Sequence, residues 1–386
     1  MDICPASNQW MNPKATCPRT AHPERRGPRP LALHVAHAEW AWRAGNSHRL
    51  AAFYRGVEAY RRHPYRRGIC ERPTAWQRGG SRLFDYGDGG HDGGWPLLVV
   101  PSLVNRAYIL DLMPGASLLS FLHGKGVRPM LLDWGDGTTT DRQLTLEELI
   151  LERMKPAFDW LHHTSGKRPL VLGYCMGGTL ATALACLCQE KMAGLALLAT
   201  PWHFDRGARD MGHSRSYHGM LASLTNRIGS APVDLLQTLF AQIDPLNVPK
   251  KFARFAEVAP TSQAACRFVA IEDWLNDGVP LNAEVAAECL LDWYGSNAPA
   301  RGDWRVDGIK IRPDLLDLPV CLAIPERDRI VPPDSALALA STLSSCDLIR
   351  PNAGHVGMVV GRNAEAALWT PLLQWLRQII AEQKDP

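Results

Sequence analysis

The chain has 386 residues, of which 46% are hydrophobic and 21% charged, and its formal net charge is +3. This composition excludes a disordered or fibrous protein, and the length suits one large domain or two smaller ones. No apolar run approaches the ~20 residues of a membrane helix, and residues 1–20 lack a secretory signal, so we expect a cytoplasmic protein without a transmembrane segment.

The charge is distributed unevenly along the chain. Residues 1–83 contain 15 Lys and Arg but only 5 Asp and Glu, whereas the remainder is net acidic. Residues 1–30 also hold six prolines, which predicts a flexible basic arm. Such an arm could bind a phosphorylated ligand, an anionic surface or nucleic acid, or its arginines could pair with the rest of the protein. Because no nucleic-acid-binding module is recognisable, we do not expect nucleic acid as a partner.

The first half of the chain predicts a helical segment followed by alternating strands and helices. Residues 31–80 form a helical lead-in, which breaks at Gly45 to Ser47. Residues 81–202 form the first part of an α/β core. Its buried strands are predicted from the apolar runs at 96–103, 127–133, 168–174 and 194–200, and its helices at 111–125, 145–163 and 176–190. This alternation predicts a mostly parallel sheet with helices on both faces.

The second half predicts a helical insertion and a return to the sheet. Residues 203–305 show no strong strand and are expected to form a helical cap, inserted late in the sheet. Residues 306–386 form the second part of the core, with strands near 320–325 and 347–350. We expect the cap to cover the carboxyl edge of the sheet, where open α/β sheets bind their ligands.

The segment Gly173-Tyr174-Cys175-Met176-Gly177 matches Gly-x-Ser-x-Gly with cysteine in place of serine. In that motif the nucleophile occupies a sharp strand-to-helix turn, where only glycine leaves enough room beside it. The N-terminus of the following helix favours a thiolate. Cys175 is therefore the predicted nucleophile, and the alternative is a buried cysteine in a glycine-rich turn. The other nine cysteines are scattered, so we predict neither a metal site nor a disulfide framework.

A nucleophile on such a turn needs an acid and a base, which follow it in the chain in that order. Asp328 comes shortly after one predicted strand and is our candidate acid. His355 comes after the last predicted strand and is our candidate base. The oxyanion hole would be formed by the backbone N–H of Met176 and one from the loop of residues 102–105, for which we choose Val104.

Two polar residues are candidate substrate contacts. Asn105 ends the proposed oxyanion loop and either binds substrate or shapes the loop. His203 follows the fourth predicted strand, and we expect it to contact the cap rather than to act as a base.

Several segments together are similar to the polyhydroxyalkanoate synthases, and the similarity spans roughly residues 50–380. The segments are His63-Pro64-Tyr65-Arg66-Arg67, Val100-Pro101-Ser102-Leu103-Val104-Asn105-Arg106, Leu132-Asp133-Trp134-Gly135, Gly173-Tyr174-Cys175-Met176-Gly177-Gly178-Thr179, Glu272-Asp273-Trp274, Asn297 and Gly354-His355. The chain resembles the short catalytic subunits of this family, which lack the long N-terminal domain of the larger synthases.

The resemblance implies an α/β-hydrolase fold and the polymerisation of (R)-3-hydroxyacyl groups from coenzyme A (CoA). It implies that Cys175 is acylated, that His355 is its base and that Asp328 is the third member of the triad. Trp274 is a further candidate substrate contact. No tightly bound cofactor is implied, since the CoA thioester is the substrate. A second synthase subunit or the polymer granule surface is the implied partner, with a homo- or hetero-oligomer and granule association.

The cysteine itself favours acyl transfer over hydrolysis. Exchange between two thioesters loses little free energy, so the acyl-enzyme stays reactive towards an alcohol, whereas a serine ester would lose this driving force. Two alternatives remain on the same fold. One is a hydrolase, either an intracellular polyester depolymerase or a thioesterase, and the other is a non-enzymatic granule-associated protein with a vestigial site.

Overall fold

The computed structural model describes residues 24–68, 72–87, 94–136, 144–205 and 215–384. Most of the predicted basic arm lies outside these residues. The chain divides into two compact units. The described residues of the smaller unit are 24–68, Leu112–Gly115 and Val233–Gly278, and the other described residues form the larger unit.

The described residues contain helices in both units. In chain order they are α1 (Leu31–Trp42), α2 (Ser47–Arg62), α3 (Leu118–His123), α4 (Leu146–Glu148), α5 (Lys155–Ser165), α6 (Met176–Cys188), α7 (Arg215–Ile228), α8 (Val233–Ile243), α9 (Asn247–Phe255), α10 (Gln263–Asn276), α11 (Ala283–Glu288), α12 (Ala298–Arg301), α13 (Pro333–Ala340), α14 (Gly357–Val360) and α15 (Thr370–Glu382). Short π-helical turns occupy Leu149–Met154, Cys289–Gly295 and Glu365–Trp369. None of the helices in the described part of the chain has the length and apolar character needed to cross a membrane.

The strands of the described residues are β1 (Thr74–Arg78), β2 (Ser81–Asp85), β3 (Trp95–Val100), β4 (Asp111–Met113), β5 (Ala116–Ser117), β6 (Val127–Asp133), β7 (Leu170–Tyr174), β8 (Gly194–Leu198), β9 (Ser230–Ala231), β10 (Leu281–Asn282), β11 (Arg305–Val306), β12 (Ile309–Lys310), β13 (Val320–Ala323) and β14 (Asp347–Ile349). Eight of them form the main sheet of the larger unit, in the order β1-β2-β6-β3-β7-β8-β13-β14. The pairs β1–β2 and β2–β6 are antiparallel, and the other pairs are parallel.

The register of the parallel strands aligns their carboxyl ends. Leu198 of β8 lies opposite both Tyr174 of β7 and Ala323 of β13, and Ala323 lies opposite Ile349 of β14. Strands β3, β7, β8 and β13 are buried along their whole length, which explains their uninterrupted apolar sequences. The chain segments that follow β7, β13 and β14 therefore leave the sheet at one edge. The predicted α/β class, with helical segments inserted between β8 and β13, is confirmed.

The antiparallel start of the sheet was not predicted. Residues 74–78 fall within the predicted helical lead-in, but they form β1, which pairs with β2 through a turn at Gly79, where φ is +58°. Strand β1 is only partly buried, so it lacks the apolar run that marks the central strands. The larger unit consequently begins at Arg72, whereas the helical lead-in was expected to extend to residue 80.

The smaller unit is helical and has its own core. The helical lead-in predicted to break at Gly45 to Ser47 is present as α1 and α2, and Gly45 between them has a φ of +96°. Helices α2 and α9 approach so closely that a Cβ on Gly56 would lie 1.9 Å from the carbonyl oxygen of Phe252. The buried apolar residues of this core are Ala38, Trp42, Phe53, Val57, Tyr60, Phe252, Phe255, Ala265 and Val269. Helices α8 to α10, predicted as part of the cap, thus belong with α1 and α2.

Arginines at the described end of the predicted basic arm form ion pairs within this smaller unit. Arg25 pairs with Asp273, and Arg29 pairs with Asp234. The backbone oxygen of Arg26 accepts hydrogen bonds from Arg61. These contacts agree with the alternative in which the arm's arginines pair with the rest of the protein.

The single helix predicted at residues 111–125 is wrong. The segment contains β4, a turn, β5 and the short helix α3. Pro114 and Gly115 interrupt the segment, with a φ of +74° at Gly115, and the helix begins only after Ser117, whose side chain accepts a hydrogen bond from the Ser120 N–H.

One cysteine differs from the prediction that the chain has no disulfide framework. Cys266 is disulfide-bonded, which its isolated position in the sequence did not predict. The cysteines that are free in the described residues are Cys175, Cys186, Cys188, Cys289, Cys321 and Cys346.

Candidate active site

Cys175 lies on a sharp turn between strand β7 and helix α6. Its backbone has φ +55° and ψ −127°, a conformation that is strained for any residue with a side chain. The turn is held by two backbone hydrogen bonds of 2.8 Å, in which the Cys175 N–H donates to Leu198 and the Gly178 N–H donates to Cys175. The sulfur-bearing side chain is partly exposed. This geometry matches the turn that the Gly-x-Cys-x-Gly motif predicts.

Three glycines make room for this turn. A Cβ on Gly173 would lie 2.4 Å from the Cα of Gly178, and one on Gly177 would lie 2.3 Å from the Val100 oxygen. A Cβ on Gly178 would lie 1.8 Å from the hydroxyl oxygen of Thr200. The steric need predicted for Gly173 and Gly177 therefore extends to Gly178. The contact with Val100 also brings the start of the loop after β3 against the first turn of α6.

Asp328 and His355 form a buried hydrogen-bonded pair. The ring Nδ1 of His355 lies 2.7 Å from Oδ2 of Asp328. The other carboxylate oxygen, Oδ1, accepts hydrogen bonds from the backbone N–H groups of Ile330 and Val331 at 2.8 and 3.0 Å. Both carboxylate oxygens therefore have donors, which fixes the orientation of Asp328 and, through it, the ring of His355.

The environment of His355 favours its protonated form. Burial disfavours the charged ring, but the negative charges of Asp328 and Cys175, with hydrogen bonds to both, raise the pKa of His355 from 6.5 to about 10. The contribution of Cys175 to the raised pKa of His355 includes a hydrogen bond, so the sulfur lies beside the imidazole. The structure thus brings together the three residues predicted as nucleophile, acid and base.

Tyr174 is a neighbour that the sequence did not single out. Its ring centroid lies 5.2 Å from that of His355, and its hydroxyl lies 3.5 Å from the backbone oxygen of His355. Burial and the charges of Cys175 and Asp328 raise its pKa well above the ordinary value, so the hydroxyl stays protonated. Its place between the motif residues Gly173 and Cys175 was the only signal in the sequence.

The predicted oxyanion groups lie on the two segments that meet near the turn. Met176 is the first residue of α6, where helix N–H groups lack partners within the helix. The Val104 N–H is directed at the Ser102 hydroxyl, with 3.5 Å between nitrogen and oxygen. The carbonyl oxygen of Val104 accepts a hydrogen bond from the Val279 N–H. Their role as an oxyanion hole stays a prediction.

Asn105 lines a cavity beside this loop. The other residues around the cavity are Leu103, Arg106, Ala107, Asp133, Trp134, Gly135, Leu149, Val279, Pro280, Leu281, Asn282 and Val285. The side-chain oxygen of Asn105 is buried and has no hydrogen-bond partner among the described residues. The cavity is therefore lined by a residue whose buried side-chain oxygen has no donor among the described residues.

His203 contacts a residue from the segment inserted between β8 and β13. The amide of Asn297 lies 3.3 Å from the His203 ring, and its oxygen accepts the N–H of Phe204 at 2.9 Å. Asn297 has a φ of +56° and is 2% exposed. A direct contact of His203 with substrate stays a prediction.

Trp274 is the remaining predicted substrate contact. It belongs to helix α10 of the smaller unit, where it is 3% exposed. Its role as a substrate contact also stays a prediction. Among the described residues, no three His, Cys, Asp or Glu side chains lie where they could hold a metal ion together.

Comparison with known proteins supports the motif-based resemblance. Proteins named poly(3-hydroxyalkanoate) polymerase subunit PhaC are similar to the chain, with 30% identity over 73% of this chain in Haloferax mediterranei, 32% over 72% in Haloarcula marismortui and 27% over 73% in Synechocystis. The matched regions cover 58%, 60% and 78% of these relatives. The chain thus matches less than two thirds of the first two relatives. Residues 116–361 match the family model of the alpha/beta hydrolase fold, and because this match covers more than half of the chain, the chain belongs to that family.

Proposed function

We propose that the chain is an acyltransferase that polymerises (R)-3-hydroxyacyl groups from CoA thioesters into polyhydroxyalkanoate. The observation that carries the proposal is a cysteine on the nucleophile turn beside the hydrogen-bonded pair of His355 and Asp328. Similarity to proteins named poly(3-hydroxyalkanoate) polymerase subunits supports the choice of substrate.

The first proposed step transfers the acyl group to the enzyme. The thiolate of Cys175 attacks the thioester carbonyl, and the oxyanion is stabilised by the backbone N–H of Met176 and by that of Val104, which exchanges its 3.5 Å contact with the Ser102 hydroxyl for the oxyanion. The bond from the carbonyl carbon to the CoA sulfur then breaks. The CoA thiolate takes the proton of the His355 imidazolium and leaves as the free thiol.

The second proposed step uses the change in charge caused by the first. Acylation removes the negative charge of Cys175 and its hydrogen bond, both of which raise the pKa of His355, so this pKa falls. Neutral His355 then accepts the proton of an incoming hydroxyl group, whose oxygen forms an ester with the acyl carbon. The thiolate of Cys175 is released, and Asp328 holds the imidazolium in place.

A sulfur nucleophile at residue 175 suits these two reaction steps better than an oxygen nucleophile. Transfer from the CoA thiol to Cys175 exchanges one thioester for another, so the acyl group keeps its reactivity towards the alcohol. Water is excluded as the acceptor in this proposal, which distinguishes the reaction from hydrolysis on the same fold.

The remaining contacts and partners belong to the same proposal. Asn105, His203 and Trp274 are proposed to contact the substrate, and no tightly bound cofactor takes part. A second synthase subunit or the polymer granule surface is the proposed partner of this chain, as a homo- or hetero-oligomer in the cytoplasm. Similarity to proteins named as polymerase subunits supports an assembly with further subunits.

The test is to incubate the purified full chain with (R)-3-hydroxybutyryl-CoA and to follow thiol release and polymer together. We expect both to rise in parallel, and the Cys175→Ala variant to release no CoA. Cys346→Ala is the matched control, because this free cysteine lies outside the nucleophile turn, and it should behave like the unaltered chain.

Two results would contradict the proposal. Release of CoA with free 3-hydroxybutyrate instead of polymer would identify the hydrolase alternative. Full turnover by Cys175→Ala would exclude the covalent scheme, whichever product forms.

A further inference from the structure

The cavity beside the loop after β3 contains several polar side chains, and nearly all have protein partners. Arg106 pairs with Asp136 at 2.6 Å, and the Trp134 ring N–H donates to Pro101 at 3.2 Å. Asp133 accepts the N–H of Gly135 at 3.1 Å. These groups are occupied within the protein.

Asn282 is the second asparagine of this cavity, and both ends of its amide are used. Its Nδ2 donates to the Leu144 oxygen at 2.8 Å, and its Oδ1 accepts the Val285 N–H at 2.7 Å. Asn105 differs, because its buried Oδ1 has no partner among the described residues. A buried acceptor without a donor is destabilising, so a ligand that supplies the donor would gain binding free energy.

The position of Asn105 limits which ligand group it can meet. It directly follows Val104, whose N–H is proposed to bind the oxyanion. When the thioester carbonyl of the substrate is bound by the Val104 N–H, the substrate group that pairs with Asn105 has to lie a few bonds from the thioester carbon. In a 3-hydroxyacyl thioester the hydroxyl oxygen is three bonds from that carbon. A hydroxyl both donates and accepts, so it can pair with either end of the Asn105 amide.

We infer that Asn105 recognises the 3-hydroxyl group of the acyl thioester and thereby selects 3-hydroxyacyl groups over plain acyl groups. The inference rests on the proposed function and assigns a substrate group to one residue of that site. A site that hydrogen-bonds a substrate hydroxyl rejects the analogue that lacks it, because the polar group of the site is then left unpaired. Asn105 is thus a specificity residue that takes no part in the bond changes at Cys175.

The experiment compares the first-turnover release of CoA from (R)-3-hydroxybutyryl-CoA and from butyryl-CoA, using the full chain. The readout is the ratio of the two rates, which does not depend on how much of a variant is folded. Asn105→Leu keeps the branched shape at Cγ but removes the amide, and we expect the preference for the hydroxylated substrate to fall about 10- to 100-fold. Asn105→Asp retains acceptor oxygens and should keep most of the preference.

Asn282→Leu is the matched control, since it removes the amide of the cavity that is already paired, and its ratio should equal that of the unaltered chain. An unchanged ratio in Asn105→Leu would overturn the inference and leave Asn105 as a loop-shaping residue. Equal slowing of both substrates would also overturn it, because butyryl-CoA retains the amide groups of the CoA arm. If the unaltered chain released no CoA from either substrate, the proposed function itself would fail.

Discussion

Each unit of the protein contains a carboxylate with several hydrogen-bond donors, and the two differ in the chemistry of the main partner. Asp328 in the larger unit accepts hydrogen bonds from two backbone N–H groups and pairs with the imidazole of His355. Asp273 in the smaller unit binds the guanidinium of Arg25 through both oxygens at 2.7 Å and accepts the Tyr60 hydroxyl at 2.8 Å.

The difference lies in whether the partner can change its charge. Burial opposes the charge on Arg25, but the hydrogen bond and charge of Asp273 raise the pKa of its guanidinium above the ordinary value, so Arg25 stays protonated at any physiological pH. Arg25 also donates to the backbone oxygens of His63 and Tyr65, which ties this segment to the helical unit. Imidazole titrates in the accessible range. The same type of acid therefore fixes structure in one unit and, in our proposal, controls a proton in the other.

The largest expected effect is that of Asp328→Asn on activity. The amide carries no charge to stabilise an imidazolium, so the pKa of His355 falls and the ring loses its fixed orientation. We expect the rate of CoA release from (R)-3-hydroxybutyryl-CoA to fall about 10²- to 10⁴-fold. A rate within twofold of the unaltered chain would remove Asp328 from the mechanism.

Asp273→Asn should affect stability instead. It leaves the largely buried Arg25 guanidinium without its carboxylate, and we expect a loss of about 2–3 kcal/mol in the free energy of unfolding. Urea unfolding of the full chain measures this loss. A stability equal to that of the unaltered chain would show that the pair contributes nothing to the helical unit.

The titration of His355 tests whether the charge of Cys175 contributes to the raised pKa of the imidazole. Because the pKa is raised to about 10 in the folded protein, protonated His355 contributes stability that is complete below pH 6.5 and is lost as the pH rises through about 10. Cys175→Ala removes one of the negative charges, so the pKa of His355 falls. An NMR titration of the His355 ring measures it, and an unchanged pKa would mean that the sulfur carries no charge there.

The smallest effect is expected at an exposed pair in the helical unit. Arg29 and Asp234 form an ion pair whose side chains are 43% and 59% exposed. Water and salt screen such a pair, so Asp234→Asn should change the free energy of unfolding by less than about 1 kcal/mol. A loss of unfolding free energy as large as that of Asp273→Asn would mean that the difference in exposure does not make the Arg29–Asp234 pair weaker than the Arg25–Asp273 pair.

Local patterns were sufficient to predict the central sheet and the nucleophile turn. Strand β6 has the predicted bounds, and the buried strands β3, β7, β8 and β13 were predictable because a strand buried on both faces needs a continuous apolar run. The turn at Cys175 was predictable, because its glycines are required by contacts within a few residues or with the adjacent strand and loop. Asp328 and His355 could be chosen because each comes shortly after a strand in the required chain order.

Features that depend on distant contacts were not predictable from the sequence. Helix α9 reads like any amphipathic helix of the insertion, and only its close contact with Gly56 assigns it to the smaller unit. Asn297 pairs with the backbone of Phe204, 93 residues away, and no local pattern indicates such a contact. The unpaired oxygen of Asn105 likewise depends on which donors the folded chain leaves unused around its cavity.

The strained backbone of Cys175 has a consequence for how this scaffold could have changed its chemistry. The positive φ arises from the turn and would be equally costly for serine, since both residues have one Cβ and one small terminal group. Exchanging oxygen for sulfur there requires no rearrangement of the neighbouring glycines or of the sheet. A change between serine and cysteine chemistry on this turn would therefore need only one atom to change at the nucleophile.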